Sequence, residues 1–238
     1  MKKYSTILFD LDGTLTDSSP GIINSIIYAL KKYDINVYDM TLLRKFLGPP
    51  LHESFEKFFG FDKEKSLQAV KYYREYFSTE GLLENEVYCD ITDLLQNLKE
   101  NGKTLIVATS KPQPFTDRIM EHFDLEKFFD FIAGSNMDTT RSKKAEVIEY
   151  ALSECNIIDK SSVIMVGDRA EDMIGAQTVG IDSIGVEYGY GTFDELKNAG
   201  ATYVVKDVKS LKEFLDDWNM FAFKRIRFIN RTDYKNIN

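Results

Sequence analysis

The sequence predicts an α/β fold: a Rossmann-like, mostly parallel sheet with helices on both faces, plus an inserted α-helical cap domain. Three observations carry this. Five short apolar runs, at 5–9, 104–108, 131–133, 162–166 and 182–186, alternate with stretches of helical periodicity. Such alternation argues a parallel sheet wrapped by crossover helices. Residues 16–83 break the alternation, with helix after helix and no strand. Finally, the first run ends in paired aspartates, at the kind of turn where an open α/β sheet binds its ligand.

Taken in order, residues 7–14 read Ile-Leu-Phe-Asp-Leu-Asp-Gly-Thr. The apolar run bounded by turn residues is a buried strand. Asp10 and Asp12 follow it two residues apart, and carboxylates held that close raise each other's pKa unless a positive charge joins them. A hard cation with oxygen ligands answers this, and Mg²⁺ fits best. One carboxylate can then attack phosphorus while the other handles protons.

The helical insertion shows three apolar stripes: Ile22, Ile23, Ile26, Ile27 and Leu30; Leu51, Phe55 and Phe58; Leu67, Val70, Tyr73 and Phe77. They read as a small bundle placed directly after the first strand. Its hinges are expected near Thr16–Ser19 and Gly81–Val87, with Glu84, Asn85 and Tyr88 on the returning segment. Gly48-Pro49-Pro50 is a rigid break between helices, and Arg44 and Lys45 stand one turn before it. An inserted lid excludes stray water and strengthens the charge interactions beneath it.

The second run, Leu105-Ile106-Val107-Ala108, leads into Thr109-Ser110-Lys111-Pro112. A hydroxyl at a strand end, followed by free N–H groups, can bind a phosphoryl oxygen. Lys111 by itself reads as a solvated charge. Further on, Lys143 and Lys144 open a helix whose apolar positions are 147, 148, 151, 152 and 155. A cation there opposes the helix dipole, so an anionic partner explains it better than helix stability does. The fourth run, Val163-Ile164-Met165-Val166, continues as Gly167-Asp168-Arg169-Ala170-Glu171-Asp172. Asp168 and Asp172 are one helical turn apart and can face the same site.

Composition narrows the function classes. The 238 residues are 43% hydrophobic and 29% charged, an ordinary globular balance. The formal net charge is −8, and the last 20 residues hold five Lys/Arg and one acid, so residues 1–218 carry −12. An acidic body is a poor partner for a nucleic-acid polymer and repels phosphate esters at long range. Substrate attraction must come from the metal, Lys144, and local cations such as Arg44 or Lys111. No apolar run is long enough for a membrane span and no signal-peptide pattern opens the chain. Cys89 and Cys155 read as reduced, half-buried packing residues of a cytoplasmic protein. With only His52 and His122, zinc clusters and Ser-His-Asp catalysis are poorly supported. The basic tail 219–238 is expected to be disordered or loosely packed.

Four motifs in this order resemble the haloacid dehalogenase-like phosphatases: D-x-D-G-T at Asp10, the hydroxyl motif at Thr109, a lysine directly before Ala145-Glu146-Val147-Ile148, and G-D-x-x-x-D at Asp168 and Asp172. The resemblance spans roughly residues 4–218 and favours Lys144 over Lys143. It places a catalytic core at 1–15 and 86–218, and a cap at 16–85, as in the subgroup with its insertion between the first two motifs. It implies catalytic roles for Asp10 (nucleophile), Asp12 (acid and base), Thr109 and Lys144. Phosphate would bind to Thr109, Ser110 and Lys144. Mg²⁺ would be held by Asp10, Asp12 (through its carbonyl), Asp168 and Asp172, the last through a bound water unless it holds Lys144. The substrate-reading cap loop falls near Arg44, Gly48 and Pro49.

The implied reaction is hydrolysis of a small phosphate monoester by a monomer or homodimer. Phosphoglycolate and a nucleoside 5′-monophosphate both stand as substrates. The string Ile184-Gly185-Val186-Glu187-Tyr188-Gly189-Tyr190-Gly191 with Glu195-Leu196, and Gly134-Ser135 followed by Arg141 and Lys144, look closer to bacterial 5′-nucleotidase-like members. Cys89-Asp90 departs from the Pro-Gly of many relatives, which puts the hinge in question but not the chemistry. A dehalogenase would not need Asp12. A phosphomutase shares every motif, and a phospho-accepting module would need neither a general acid nor a lid.

Overall fold

The computed structural model describes residues 4–138, 140–216 and 226–228. The chain divides into two compact units, one holding residues up to Thr16 and from Val87 onward, the other Asp17–Glu86.

The first unit is built on β1 (Thr6–Phe9), β4 (Thr104–Pro112), β5 (Phe131–Ser135), β6 (Val163–Gly167), β7 (Asp182–Val186), β8 (Tyr203–Val205) and β9 (Ile226–Phe228). They pair in the order β5-β4-β1-β6-β7-β8-β9, parallel throughout except for the β8–β9 pair. The crossovers are α5 (Ile91–Glu100), α6 (Gln113–His122), α7 (Lys144–Glu154), α8 (Ala170–Val179) and α9 (Phe193–Asn198), and α10 (Val208–Leu215) follows β8. Side chains alternate across a strand. Leu8, Ile106, Ala108 and Met165 pack on Val147, Ile148, Ala151 and Leu152 of α7 and on Ala176 and Val179 of α8. Their neighbours Ile7, Phe9, Leu105, Val107, Ile164 and Val166 on the opposite face are equally buried. A sheet covered on both faces explains why its strands read as unbroken apolar runs rather than as alternating ones.

The second unit comprises α1 (Ser19–Lys31), α2 (Met40–Arg44), α3 (Leu51–Phe59), α4 (Lys63–Tyr76) and a π-helical turn at Phe77–Gly81. Phe46 and Phe55 are fully buried and form ring contacts with Phe58, Phe59 and Phe61. Among the described residues, no helix is long and apolar enough to cross a membrane.

Several expectations need correction. Two short strands, β2 (Thr16–Asp17) and β3 (Glu86–Val87), pair with each other, so the insertion does not start as pure helix. The stripe on α4 is Ser66, Ala69 and Tyr73, with Phe77 just beyond; Leu67 is 47% exposed. The small residues are buried where α1 and α3 pack closely on α4. β4 runs on past Ala108 to Pro112 through a register shift. Cys89 is exposed and only Cys155 is half-buried, packed on the α7–α8 core. The tail 219–238 lies outside the described residues except for β9, which adds an edge strand where loose packing was expected.

Candidate active site

β1 lies between β4 and β6, with Phe9 in register with Val107 on one side and Val166 on the other. The residues after these positions leave the sheet together. This is also where strand order switches direction, the crevice in which open α/β sheets bind ligands. The Asp10 N–H donates to the Val166 carbonyl at 2.9 Å, which holds Asp10 at the sheet end.

Lys144 is the first residue of α7, and its side chain is only 3% exposed. Its Nζ lies 2.8 Å from Asp10 Oδ1 and 2.8 Å from Asp172 Oδ1, and donates to the Ala108 carbonyl at 3.0 Å. Burial alone would lower its pKa; the charges of Asp10 and Asp172 outweigh burial and hold the ammonium above the ordinary lysine range. The two carboxylates therefore account for a cation in the first turn of a helix, where the dipole disfavours it. Asp172 faces two ways. Its Oδ2 accepts the Arg169 N–H at 3.1 Å, capping α8, while Oδ1 meets Lys144.

Asp168 is fully buried. Its Oδ2 accepts the Tyr190 N–H at 2.7 Å, and its Oδ1 accepts the Thr14 hydroxyl at 3.3 Å. Gly13, with φ +82, lies so close that a Cβ there would be 2.2 Å from Asp168 Oδ2. Burial, then the charges of Asp172 and Asp10, push the Asp168 carboxyl well above the usual range. Burial also raises Asp172, with Asp10 adding to it and Lys144 opposing.

One carboxylate oxygen from each of Asp10, Asp168 and Asp172 lies within 4.8 Å of the others. Two of these carboxylates share one ammonium and the third has none, so with all three ionised the buried site carries two negative charges. Such a deficit is expensive without a counterion. All-oxygen donors and a double negative charge fit a hard divalent cation such as Mg²⁺.

Asp12 stands apart from this cluster. Its Oδ2 meets Lys111 Nζ at 2.7 Å, and the Lys111 side chain is 6% exposed. The expectation that Lys111 is solvated is therefore wrong. Thr109 and Lys111, two residues apart on an extended segment, share a face, and this is the signal that could have found it. Thr109 is buried and its Oγ1 accepts the Lys111 N–H at 3.2 Å. Ser110 is exposed, and its carbonyl accepts the Ser135 hydroxyl at 2.8 Å. Glu195 Oε1 accepts both Arg169 Nε, at 2.7 Å, and the Ala170 N–H, at 3.0 Å, bracing the turn between Asp168 and Asp172. The contacts of Thr14 and Tyr190 were not anticipated, because they come from loops without a periodic pattern, and that of Glu195 was not, because it comes from the short helix α9. Arg44, Gly48 and Pro49 belong to the other unit: Arg44 and Gly48 are exposed and Pro49 is half-buried.

The family model described as haloacid dehalogenase-like hydrolase matches residues 7–186. A 5′-nucleotidase from Pseudomonas aeruginosa is 42% identical over 214 residues, 90% of this chain and 96% of the relative. The tyrosine-protein kinase PtkA of Mycobacterium tuberculosis is 38% identical over 198 residues, 83% of this chain and 67% of the relative. A crystal structure from Clostridium acetobutylicum, described as a predicted phosphatase, superposes with a TM-score of 0.83 at 49% identity. It covers 90% of this chain and 98% of its own.

Proposed function

The chain belongs to the haloacid dehalogenase-like hydrolases and is a phosphatase of that family, and we propose that it hydrolyses a nucleoside 5′-monophosphate or a similar small ester through a phosphorylated Asp10. The observation that carries the reading is Asp10 itself, at the end of the central strand, with Lys144 at 2.8 Å. In the first step a carboxylate oxygen of Asp10 forms a bond to phosphorus, the ester P–O bond breaks, and Asp12 gives a proton to the leaving oxygen. In the second, water attacks phosphorus, Asp12 takes its proton, and Asp10 is released with inorganic phosphate. Lys144 orients Asp10 and neutralises part of the charge on the transferring group. Thr109 and the backbone after it receive the remaining phosphoryl oxygens. Mg²⁺, held by Asp10, Asp168 and the backbone carbonyl of Asp12, with Asp172 in support, would supply charge neutralisation for the phosphoryl oxygens. Positioning and charge carry most of such catalysis, and acid–base assistance from Asp12 contributes roughly 10²–10⁴-fold.

The relative named 5′-nucleotidase supports the nucleotide reading. Phosphoglycolate, which the motifs also allow, remains the substrate to compare with it. We assign the cap loop at Arg44, Gly48 and Pro49 the task of reading the rest of the substrate. The relative named a tyrosine-protein kinase favours a second reading, in which the phosphoryl group passes to an acceptor other than water, as in a mutase or a phospho-accepting module.

One experiment separates these: phosphate release from 5′-monophosphates, phosphoglycolate and sugar phosphates, with and without Mg²⁺, beside Asp10→Asn. Many Mg²⁺-dependent turnovers, lost in the variant, support the hydrolase. A single turnover that leaves the protein phosphorylated supports the second reading. Full activity in Asp10→Asn defeats both.

A further inference from the structure

The proposed reaction accounts for Asp10, Asp12, Lys144 and the metal-facing aspartates, but gives Lys111 no task. Yet the Lys111 side chain is only 6% exposed and its ammonium meets Asp12 Oδ2 at 2.7 Å. Burying an ammonium is costly unless it is paired and hydrogen-bonded, so the fold invests in this placement.

The backbone around Lys111 is held from three sides. Its N–H donates to Thr109 Oγ1 at 3.2 Å, and its carbonyl accepts the Thr116 hydroxyl at 3.3 Å. Gly134 of β5 passes so close that a Cβ there would stand 2.8 Å from the Lys111 carbonyl oxygen. The register shift between Ala108 and Pro112 falls on this segment. Bulges of this kind re-aim a side chain next to active sites. Asp12 is held in its backbone too: it bridges to Thr16, and the neighbouring Gly13 N–H donates to the Thr16 carbonyl at 2.8 Å. The freedom left to Asp12 is the rotation of its side chain.

Lys111 removes that freedom. With Oδ2 taken by the ammonium, Oδ1 is left buried and without a hydrogen-bond partner. A buried acceptor with no partner is costly, and one on a reacting group is available to whatever enters the site. We propose that Lys111 is a positioning residue for Asp12: it clamps Oδ2 so that Oδ1 is the oxygen that exchanges a proton with the leaving group and then with water. This rests on the reading of Asp12 as the acid and base of the reaction.

The test uses the leaving group. p-Nitrophenyl phosphate releases an anion that needs no proton; an alkyl ester (5′-AMP or phosphoglycolate, whichever turns over faster) releases an alkoxide that does. Lys111→Met keeps the length of the side chain and removes the charge. Since misplacement of a catalytic group by about 1 Å costs on the order of 10²-fold, kcat/KM on the alkyl ester, which reports the steps up to departure of the leaving group and not the later attack of water, should fall by about that factor, and kcat/KM on the aryl ester by less than about tenfold. Placed on Asp12→Asn, Lys111→Met should add no further loss on the alkyl ester, since residues acting as a unit are non-additive. Lys111→Gln, tested alongside, must show the same selectivity. Equal losses on both esters, or a further loss on Asp12→Asn, would overturn the role of Lys111 while Asp12→Asn keeps its own selectivity. If Asp12→Asn shows no selectivity between the esters, the reading of Asp12 falls, and Lys111 with it.

Discussion

The two units bury different things. In the unit built on the sheet, Asp10, Lys144, Asp168 and Asp172 are buried charged residues, and all four gather where β1 and β6 end. In the helical unit the buried polar residues are serines and one asparagine, and its core is aromatic, with Phe46 and Phe55 at the centre. Burying charge is expensive and persists where something compensates for it; burying phenylalanine is favourable anywhere. The difference teaches which unit holds chemistry. The sheet unit sets stability against a concentrated charge, and the helical unit carries no such strain. Its surface leaves Arg44 and Gly48, the proposed reading loop, exposed.

The strongest attempt to break this comparison is Asp10→Asn. It removes the proposed nucleophile and leaves the packing intact, so phosphate release should fall by roughly 10⁴-fold or more, with Tm unchanged or higher. Lys144→Met comes next. It strands Asp10 and Asp172 as buried, uncompensated carboxylates, and urea unfolding should show a loss of about 3–5 kcal/mol. Activity should vanish with it. A variant as stable as wild type would mean that the charge cluster is not under strain. In the helical unit, Phe55→Ala should cost about 3 kcal/mol through transfer and cavity terms, while Mg²⁺ binding measured by calorimetry stays within about twofold of wild type, as for separate sites.

Mg²⁺ tests the strain directly. At 100 times its Kd it should stabilise the protein by about 2.7 kcal/mol, and Asp168→Asn should abolish that gain. The pH dependence has a definite sign. Asp172 is pushed up to about 6 in the fold from an ordinary value of 3.8, and Asp168 is also raised. Between those values the folded protein keeps protons that the unfolded chain has released, so this site's contribution to metal-free stability falls as pH rises through that window. Metal must displace those protons. The Mg²⁺-induced rise in Tm should therefore be larger at pH 7.5 than at pH 5; the reverse would remove Asp168 and Asp172 from the proposed metal site. The smallest effect is expected at Arg44. Arg44→Ala should change stability by less than about 0.5 kcal/mol, as exposed substitutions do. Its effect belongs in KM, and a fall in kcat on every ester alike would mean that the helical unit carries chemistry after all.

Much of this was legible beforehand, for identifiable reasons. Five of the six parallel strands were visible because a sheet buried on both faces leaves unbroken apolar runs such as Leu105–Ala108 and Val163–Val166. Asp10 and Asp168 were visible because each stands at the end of such a run, and a lysine was visible at the start of a periodic helix, the family resemblance choosing Lys144 over Lys143. The stripe on α4 was misread at Leu67, since a helix with apolar residues on several sides does not announce which side small neighbours such as Ser66 and Ala69 will occupy. Lys111 was misread because the spacing to Thr109 offered a face but not a partner: Asp12 is 99 residues away.

The sequence by itself therefore determined the fold class, the helical insertion and the order of the charged residues, because all three rest on local periodicity and on what stands at strand ends. Only the tertiary structure decided which charges meet. Asp10 and Asp172 share Lys144, Asp12 takes Lys111, and Asp168 is held by Thr14 and Tyr190. Those pairings depend on the parallel register of β1 with β4 and β6 and on a bulge in β4. Coulomb energy between buried groups varies steeply with a few ångströms of separation, and only the packed sheet sets distances that short.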